Sequence, residues 1–99
     1  MGEPPLSDSA TVVAASDLLA TDFGAETIIL HLGQGKYFSL ADVGARVWAH
    51  LQQPTTVGAM CDAIVAEYAV DPAECRRDLG ELLRDLAGHG LVDLRERPS

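Results

Sequence analysis

Basic residues are scarce in this chain of 99 residues, in which Lys and Arg number 7 and Asp and Glu number 15. The net charge of −8 repels phosphate backbones, so nucleic acid is a poor partner on electrostatic grounds. Cysteine is rare as well. Cys61 and Cys75 do not form a C-x-x-C pair, and we expect each to be a small buried apolar residue in a reducing compartment.

The start of the chain has no long apolar run. Residues 1–9 contain the pair Pro4 and Pro5 together with Ser, Asp and Glu. A segment of this composition is neither a secretory signal peptide nor a membrane anchor. We therefore expect a cytoplasmic protein.

The side-chain groupings that catalysis and metal binding require are also missing. His31, His50 and His89 stand alone on separate predicted elements, without an H-x-x-x-H motif or a nearby Asp partner. Ser39 lies outside any G-x-S-x-G elbow, and the glycines at 33 and 35 have hairpin spacing rather than phosphate-loop spacing. We expect no catalytic residue, no metal site, no cofactor and no enzymatic activity.

The apolar content is sufficient for one modest core. Hydrophobic residues make up 47% of the chain, and 99 residues are too few for two domains. We predict one domain over residues 10–94. Residues 1–9 and 95–99 are predicted to be flexible tails, because they offer little to bury.

The first half of the chain has the pattern of β-strands. Residues 11–13 predict a short strand and residues 25–32 a clear one, whereas residues 18–23 are ambiguous. A turn at Gly33–Gly35 leads to a further strand, Lys36–Leu40, and the strands form an antiparallel three-stranded meander if the first pairs with the second. The last strand would then be an open sheet edge, where another peptide can bind.

Alternation along the clearest strand predicts which of its sides is buried. Ile28, Leu30 and Leu32 share one face, which we expect to point to the core. Thr27 and Ile29 lie on the opposite face.

The second half switches to helical periodicity. A first helix opens at Asp42 and stops before Pro54, and a second is capped by Thr55 or Thr56. Asp71 provides the N-cap of a third helix, which has proline and an acid at favourable positions of its first turn. The apolar stripe of this third helix comprises Cys75, Leu79, Leu82, Leu83 and Leu86.

The third helix ends at Gly88 or Gly90, after which Leu91–Leu94 can form a short terminal strand. A three-stranded antiparallel sheet followed by three helices predicts an α+β fold of winged helix-turn-helix type.

A winged-helix outline raises DNA binding as an alternative function. The third helix would be the recognition helix, yet it is acidic, and a negative helix in the major groove would be repelled by every neighbouring phosphate. Its charged residues are Asp71, Glu74, Asp78, Glu81 and Asp85 against Arg76, Arg77 and Arg84. DNA binding is therefore disfavoured, while an acidic winged-helix module that joins other proteins stays open.

Four segments in a fixed order resemble the PqqD family. They are the hairpin run Leu32–Leu40, the helix start Val43–Trp48, the pair Thr56–Val57 and the turn Tyr68–Asp71. The resemblance covers roughly residues 11–94. It is greatest to the stand-alone leader-binding proteins of lasso peptide biosynthesis.

This resemblance implies a RiPP recognition element, that is, a domain that recognises ribosomally made, post-translationally modified peptides. Such domains bind the leader segment of a precursor peptide as an added strand on the third strand, in a groove walled by the third helix. Strand addition supplies main-chain hydrogen bonds for affinity, and the groove supplies pockets for selectivity. The peptide-binding residues implied here are Lys36, Tyr37, Phe38, Ser39, Leu40, Cys75, Arg76, Leu79 and Leu83.

In the lasso branch, leaders carry a Tyr-x-x-Pro-x-Leu arrangement that fits apolar pockets. The bound protein then hands the precursor to a separate transglutaminase-like leader peptidase and is itself non-catalytic. An alternative within the family is a PqqD-type chaperone that delivers a precursor to a radical SAM enzyme. Phe38, Leu79 and Leu83 can also be plain core residues, since apolar residues at this spacing commonly are.

Arg76 and Arg84 are cations on an otherwise acidic helix near the implied groove. They can pair with acidic side chains of a leader, or they can belong to a solvated face.

Overall fold

Two small antiparallel sheets and three helices make up the part of the chain that the structure describes. The structure is a computed structural model and describes residues 6–95. Its elements, in chain order, are β1 (Thr11–Ala14), β2 (Leu18–Phe23), β3 (Glu26–His31), β4 (Lys36–Ala41), α1 (Val43–His50), β5 (Thr55–Thr56), α2 (Val57–Tyr68), α3 (Pro72–Gly88) and β6 (Val92–Arg95). None of these helices is long and apolar enough to cross a membrane.

The strands divide into a sheet of order β5-β1-β6 and a sheet of order β2-β3-β4. The α+β class, the antiparallel pairing and the three helices are confirmed, but the predicted pairing of the first strand with the second is wrong. Thr11 of β1 pairs instead with Thr56 on one side and Arg95 on the other. The ambiguous segment is the strand that completes the meander, because β2 and β3 form a hairpin through Gly24, whose φ of 73° favours glycine. The sheet order thus differs from the predicted one, and the winged-helix label is not confirmed.

The buried face of β3 is the one that was predicted to point away from the core. Thr27 and Ile29 are 2% and 0% exposed, whereas Leu32 is 49% exposed. The prediction that Ile28, Leu30 and Leu32 face the core is wrong. Both faces of this strand carry apolar residues, so the position of the helices, and not the pattern, decides which face is covered.

The helix boundaries follow the predicted capping signals. Asp71 Oδ2 accepts a hydrogen bond from the Glu74 amide at 2.9 Å, and Thr56 Oγ1 accepts one from the Ala59 amide at 3.2 Å. Asp42 occupies the N-cap position of α1, but its side chain makes no capping hydrogen bond. The terminal strand β6 is confirmed.

The core lies between the helices and the inner sides of the two sheets. Val47 and Trp48 of α1 are buried, as are Leu79, Leu83 and Leu86 of α3. Burial of such side chains stabilises the fold by about 1.5–3 kcal/mol each.

Part of the segment predicted to be an N-terminal tail packs on the domain. Leu6 is 4% exposed, and the carbonyl of Asp8 accepts a hydrogen bond from the Gly58 amide at 3.0 Å. Arg76 Nε donates to Asp8 Oδ1 at 2.5 Å, and Arg76 Nη2 donates to the Leu6 carbonyl at 2.6 Å. The sequence predicts nothing to bury here because Leu6 is isolated among polar residues and prolines. Residues 1–5 and 96–99, the rest of the predicted tails, lie outside the described residues.

A polar contact joins α1 to α2 beside the core. Arg46 Nε donates to Glu67 Oε2 at 2.6 Å, and His50 Nε2 lies 3.1 Å from Glu67 Oε1. The hydrogen bond from Arg46, followed by the one from His50, holds the pKa of Glu67 below its ordinary value of 4.5.

Acid is expected to weaken this contact. Because folding lowers the pKa of Glu67, its carboxylate stabilises the folded state above the unfolded-state pKa, and that stabilisation is lost as the pH falls through the lower folded-state pKa. In Glu67→Gln, which cannot ionise, the melting temperature should fall less between about pH 7 and about pH 3 than it does in the parent chain. An equal fall in both proteins would mean that Glu67 contributes nothing to acid sensitivity.

Candidate functional site

The β2-β3-β4 sheet leaves two strands, β2 and β4, at its open edges. One hydrogen bond just after β4 shows which of its residues point their backbone N–H and C=O groups toward β3. In this bond the Asp42 amide donates to the Ala25 carbonyl at 2.9 Å. Hydrogen-bonded pairs alternate along an antiparallel ladder. In the β3–β4 register, Lys36, Phe38 and Leu40 therefore bond to β3. We call these three residues the inward set.

The other residues of β4 direct their backbone N–H and C=O groups to the open side of the sheet. They are Tyr37, Ser39 and Ala41, the outward set. Tyr37 is 72% exposed, and Ser39 and Ala41 are exposed too. An incoming strand would find three donors and three acceptors of this set within reach.

Residues of helices α1, α2 and α3, with Val70 between α2 and α3, line an apolar groove of about 460 Å³. We call it the α-groove. Its lining residues are Val43, Val47, Ile64, Tyr68, Val70, Glu74, Cys75, Asp78, Leu79 and Leu82.

Two observations relate β4 to helix α3 and to the α-groove. Near the start of β4, the Phe38 ring lies 5.1 Å from the ring of His89, which follows the last turn of α3. Directly after β4, Val43 lines the α-groove together with Cys75 and Leu79 from the first turns of α3. The chain thus passes from the last residue of β4, Ala41, to Val43 in the lining of the α-groove within two residues.

A strained turn connects the strand to the helix. Asp42 has φ 53° and ψ −121°, a conformation that residues other than glycine rarely adopt. Its amide stays in the ladder through the bond to Ala25, so the chain leaves β4 and enters α1 within one residue. This short connection places Val43 in the lining of the α-groove.

The structure divides the predicted wall residues into three groups. Cys75 and Leu79 line the α-groove, at 8% and 4% exposure. Leu83 is 0% exposed and lies in the core rather than in the groove lining. Arg76 lies on another side of α3, where it holds Leu6 and Asp8.

Eight groove residues are absent from the set implied by the resemblance. Three of these eight, Val43, Tyr68 and Val70, are apolar side chains that are 40%, 41% and 42% exposed. Tyr68 and Val70 flank Ala69, whose left-handed φ of 52° ends α2 and turns the chain toward α3. The Tyr68–Asp71 turn in the sequence is the signal that could have indicated them.

The lining of the α-groove includes one thiol, that of Cys75. Burial, followed by a hydrogen bond with Cys61, raises the pKa of the Cys75 thiol from 9.0 to about 11, so this thiol is protonated near neutral pH. Within residues 6–95, no group of three or more His, Cys, Asp or Glu side chains is arranged to hold a metal ion.

The position of Arg76 changes what its replacement is expected to do. Arg76→Glu puts a carboxylate against Asp8 and removes two hydrogen bonds to the N-terminal segment, so we expect a lower melting temperature and faster proteolysis before Ala10. Affinity for a groove ligand should stay within about 0.5 kcal/mol of the parent value, since Arg76 does not line the α-groove. A large loss of affinity at unchanged stability would instead support pairing of Arg76 with the ligand.

Comparison with known proteins identifies the family. The profile described as "Coenzyme PQQ synthesis protein D (PqqD)" matches residues 26–92. The chain belongs to the PqqD family. Its match begins at β3 and ends at β6, so it includes β4 and all of the helices that form the α-groove. No curated protein sequence matches the chain.

Two solved structures resemble this PqqD-family chain along most of its length. TbiB1 in complex with the TbiA(beta) leader peptide is 36% identical, with a TM-score of 0.78 over 82% of this chain and 94% of that chain. A lasso peptide synthetase B1 complexed with the leader peptide is 18% identical, with a TM-score of 0.73 over 83% of this chain and 96% of that chain. The second likeness is one of fold.

Proposed function

We propose that this chain is a non-catalytic adaptor of lasso peptide biosynthesis. In this proposal, it binds the leader segment of a ribosomally made precursor peptide as an additional strand on β4 and presents the precursor to a separate leader peptidase. The observation that carries the proposal is the unpaired edge of β4, from which the chain reaches Val43 in the lining of the α-groove within two residues. One peptide can bond to the outward set and fill the groove at the same time.

The two open edges of the sheet are not equivalent in this respect. Strand β2 is also unpaired on one side, and its residue Asp22 lines a second cavity together with Asp42 and Arg46. An extended peptide on β2 would gain main-chain hydrogen bonds, but it would meet three charged residues in the lining of that cavity. The α-groove, which Val43 lines two residues after β4, has a mainly apolar lining, and this supports β4 as the binding edge.

The relatives support the same choice of ligand. TbiB1, 36% identical to this chain, was solved with a leader peptide. A groove of about 460 Å³ has the size of an ordinary ligand site and can take two or three apolar side chains.

A direct test combines binding with mass spectrometry. The purified chain is titrated with the TbiA(beta) leader peptide and with a synthetic peptide that carries Tyr-x-x-Pro-x-Leu, and each mixture is then incubated and weighed. We expect saturable one-to-one binding of at least one peptide and no change of mass. Cleavage by the chain alone would contradict the adaptor role, and absence of binding by both peptides would contradict leader recognition.

A further inference from the structure

The α-groove is apolar inside and acidic along its α3 rim. Glu74 and Asp78 line it with side chains that are 64% and 69% exposed. They lie one helical turn apart, and Glu81 and Asp85 continue the same stripe toward the end of α3, because residues spaced by three or four share a helix face.

Little within the groove neutralises these carboxylates. Among the described residues that line it, there is no Lys, Arg or His. Arg77, on the same helix, approaches Glu74 Oε1 at 3.9 Å and Asp78 Oδ1 at 3.8 Å, but it is itself 67% exposed. Exposed pairs at this distance contribute little and exchange readily with other partners. A cation brought by a ligand can therefore compete for both carboxylates.

The spacing of the rim matches that of an extended peptide. Residues four apart on a helix are about 6 Å apart along its axis. Side chains on one face of a β-strand repeat every second residue, at about 6.6 Å. Same-face side chains of an extended peptide therefore recur at nearly the interval that separates Glu74 from Asp78.

We infer that the peptide bound in the α-groove carries a Lys or Arg two residues from an apolar anchor, and that Glu74 and Asp78 select this cation. The inference rests on the proposed leader-binding function and adds a charge requirement to it. Apolar anchors fill the groove, and the neighbouring basic side chain reaches the rim. An acidic residue at that position is repelled by the rim and by the net charge of −8.

The test uses two synthetic peptides that share Tyr-x-x-Pro-x-Leu. They differ only two positions before the tyrosine and two positions after the leucine, where one carries Lys and the other Glu. We expect the parent chain to bind the Lys peptide about tenfold more tightly, since one exposed pair changes affinity by about two- to fivefold and the Glu peptide adds repulsion. The ratio should shrink as NaCl rises from about 50 mM to about 500 mM.

A matched pair of variants separates rim contacts from overall charge. Glu74→Gln with Asp78→Asn removes the rim charges, and Asp62→Asn with Asp93→Asn makes the same change of net charge at exposed positions that do not line the α-groove. We expect the first variant to bind both peptides within about twofold of each other and the second to keep the preference.

Each result decides a different claim. A parent ratio near one, with both peptides bound, overturns the charge requirement and leaves leader binding intact. Equal loss of preference in both variants overturns the assignment to Glu74 and Asp78. Absence of binding by both peptides overturns the proposed function and the inference together.

Discussion

Replacing Leu83 by alanine is expected to lower the free energy of unfolding by about 2–5 kcal/mol, a large part of the stability of a small domain. The Leu83 side chain is 0% exposed within the core, on the side of α3 that packs against the rest of the fold. Truncation removes its packing contacts and leaves a cavity that close-packed neighbours can only partly fill. Urea denaturation of the two proteins measures the difference.

Leu82 is the matched comparison, because it has the same side chain on the same helix. It is half-buried and lines the α-groove, so Leu82→Ala should lose less stability than Leu83→Ala and more affinity for a leader peptide. The reverse pattern, with Leu83→Ala stable but weak in binding, would make Leu83 a pocket residue and would contradict its place in the core.

Proline at Ser39 is expected to reduce leader affinity while the fold stays intact. Ser39 belongs to the outward set, so its amide faces the open side of the sheet and makes no bond to β3. Edge strands tolerate proline at such positions. The variant cannot donate to an added strand, and we expect a loss of about 1–2 kcal/mol of binding free energy, or about five- to thirtyfold in Kd.

Two further proline variants serve as controls. Phe38→Pro removes an inward amide and should destabilise the β3–β4 hairpin itself. Ala20→Pro removes an amide that points to the open side of β2, the other edge strand. The bond from the Leu32 amide to the Asp17 carbonyl shows that the Ala20 amide does not bond to β3. It should keep both stability and affinity. Equal binding by Ser39→Pro and the parent chain would mean that the peptide does not pair with β4.

The helices could be predicted in detail because their signals are local. Asp71 and Pro72 specify the start of α3 within one turn, and the stripe through Leu79 and Leu86 specifies its buried side. The β3–β4 hairpin was predictable for the same reason. Its turn lies within the sequence that it connects, and Gly35 supplies a residue with φ 66°.

The sheet order could not be predicted from the sequence, because it depends on partners far apart along the chain. Thr11 pairs with Arg95, and nothing near β1 indicates the end of the chain as its neighbour. The buried face of β3 has a similar origin, since Ile28 and Ile29 are chemically alike and only the packing of the helices distinguishes them.

The candidate site was predictable where it lies within single elements. The resemblance to the PqqD family, with which the edge strand and the α3 stripe agree, led to β4, Cys75 and Leu79. Val43 and Tyr68 were not predicted, because the α-groove forms only when three helices meet, although the Tyr68–Asp71 turn was a sequence signal for Tyr68. The role of Arg76 depends on Leu6 and Asp8, which precede it by about 70 residues and carry no local signal for the contact.

Amide hydrogen exchange at single-residue resolution tests strand addition to β4 most directly. Exchange of the purified chain is followed by NMR with and without a saturating Tyr-x-x-Pro-x-Leu leader peptide. If a leader strand adds to β4, the amides of Tyr37, Ser39 and Ala41 become protected, while that of Ala20 on the β2 edge exchanges as before. Unchanged exchange of the outward set in a saturated complex, or protection confined to β2, would contradict strand addition to β4.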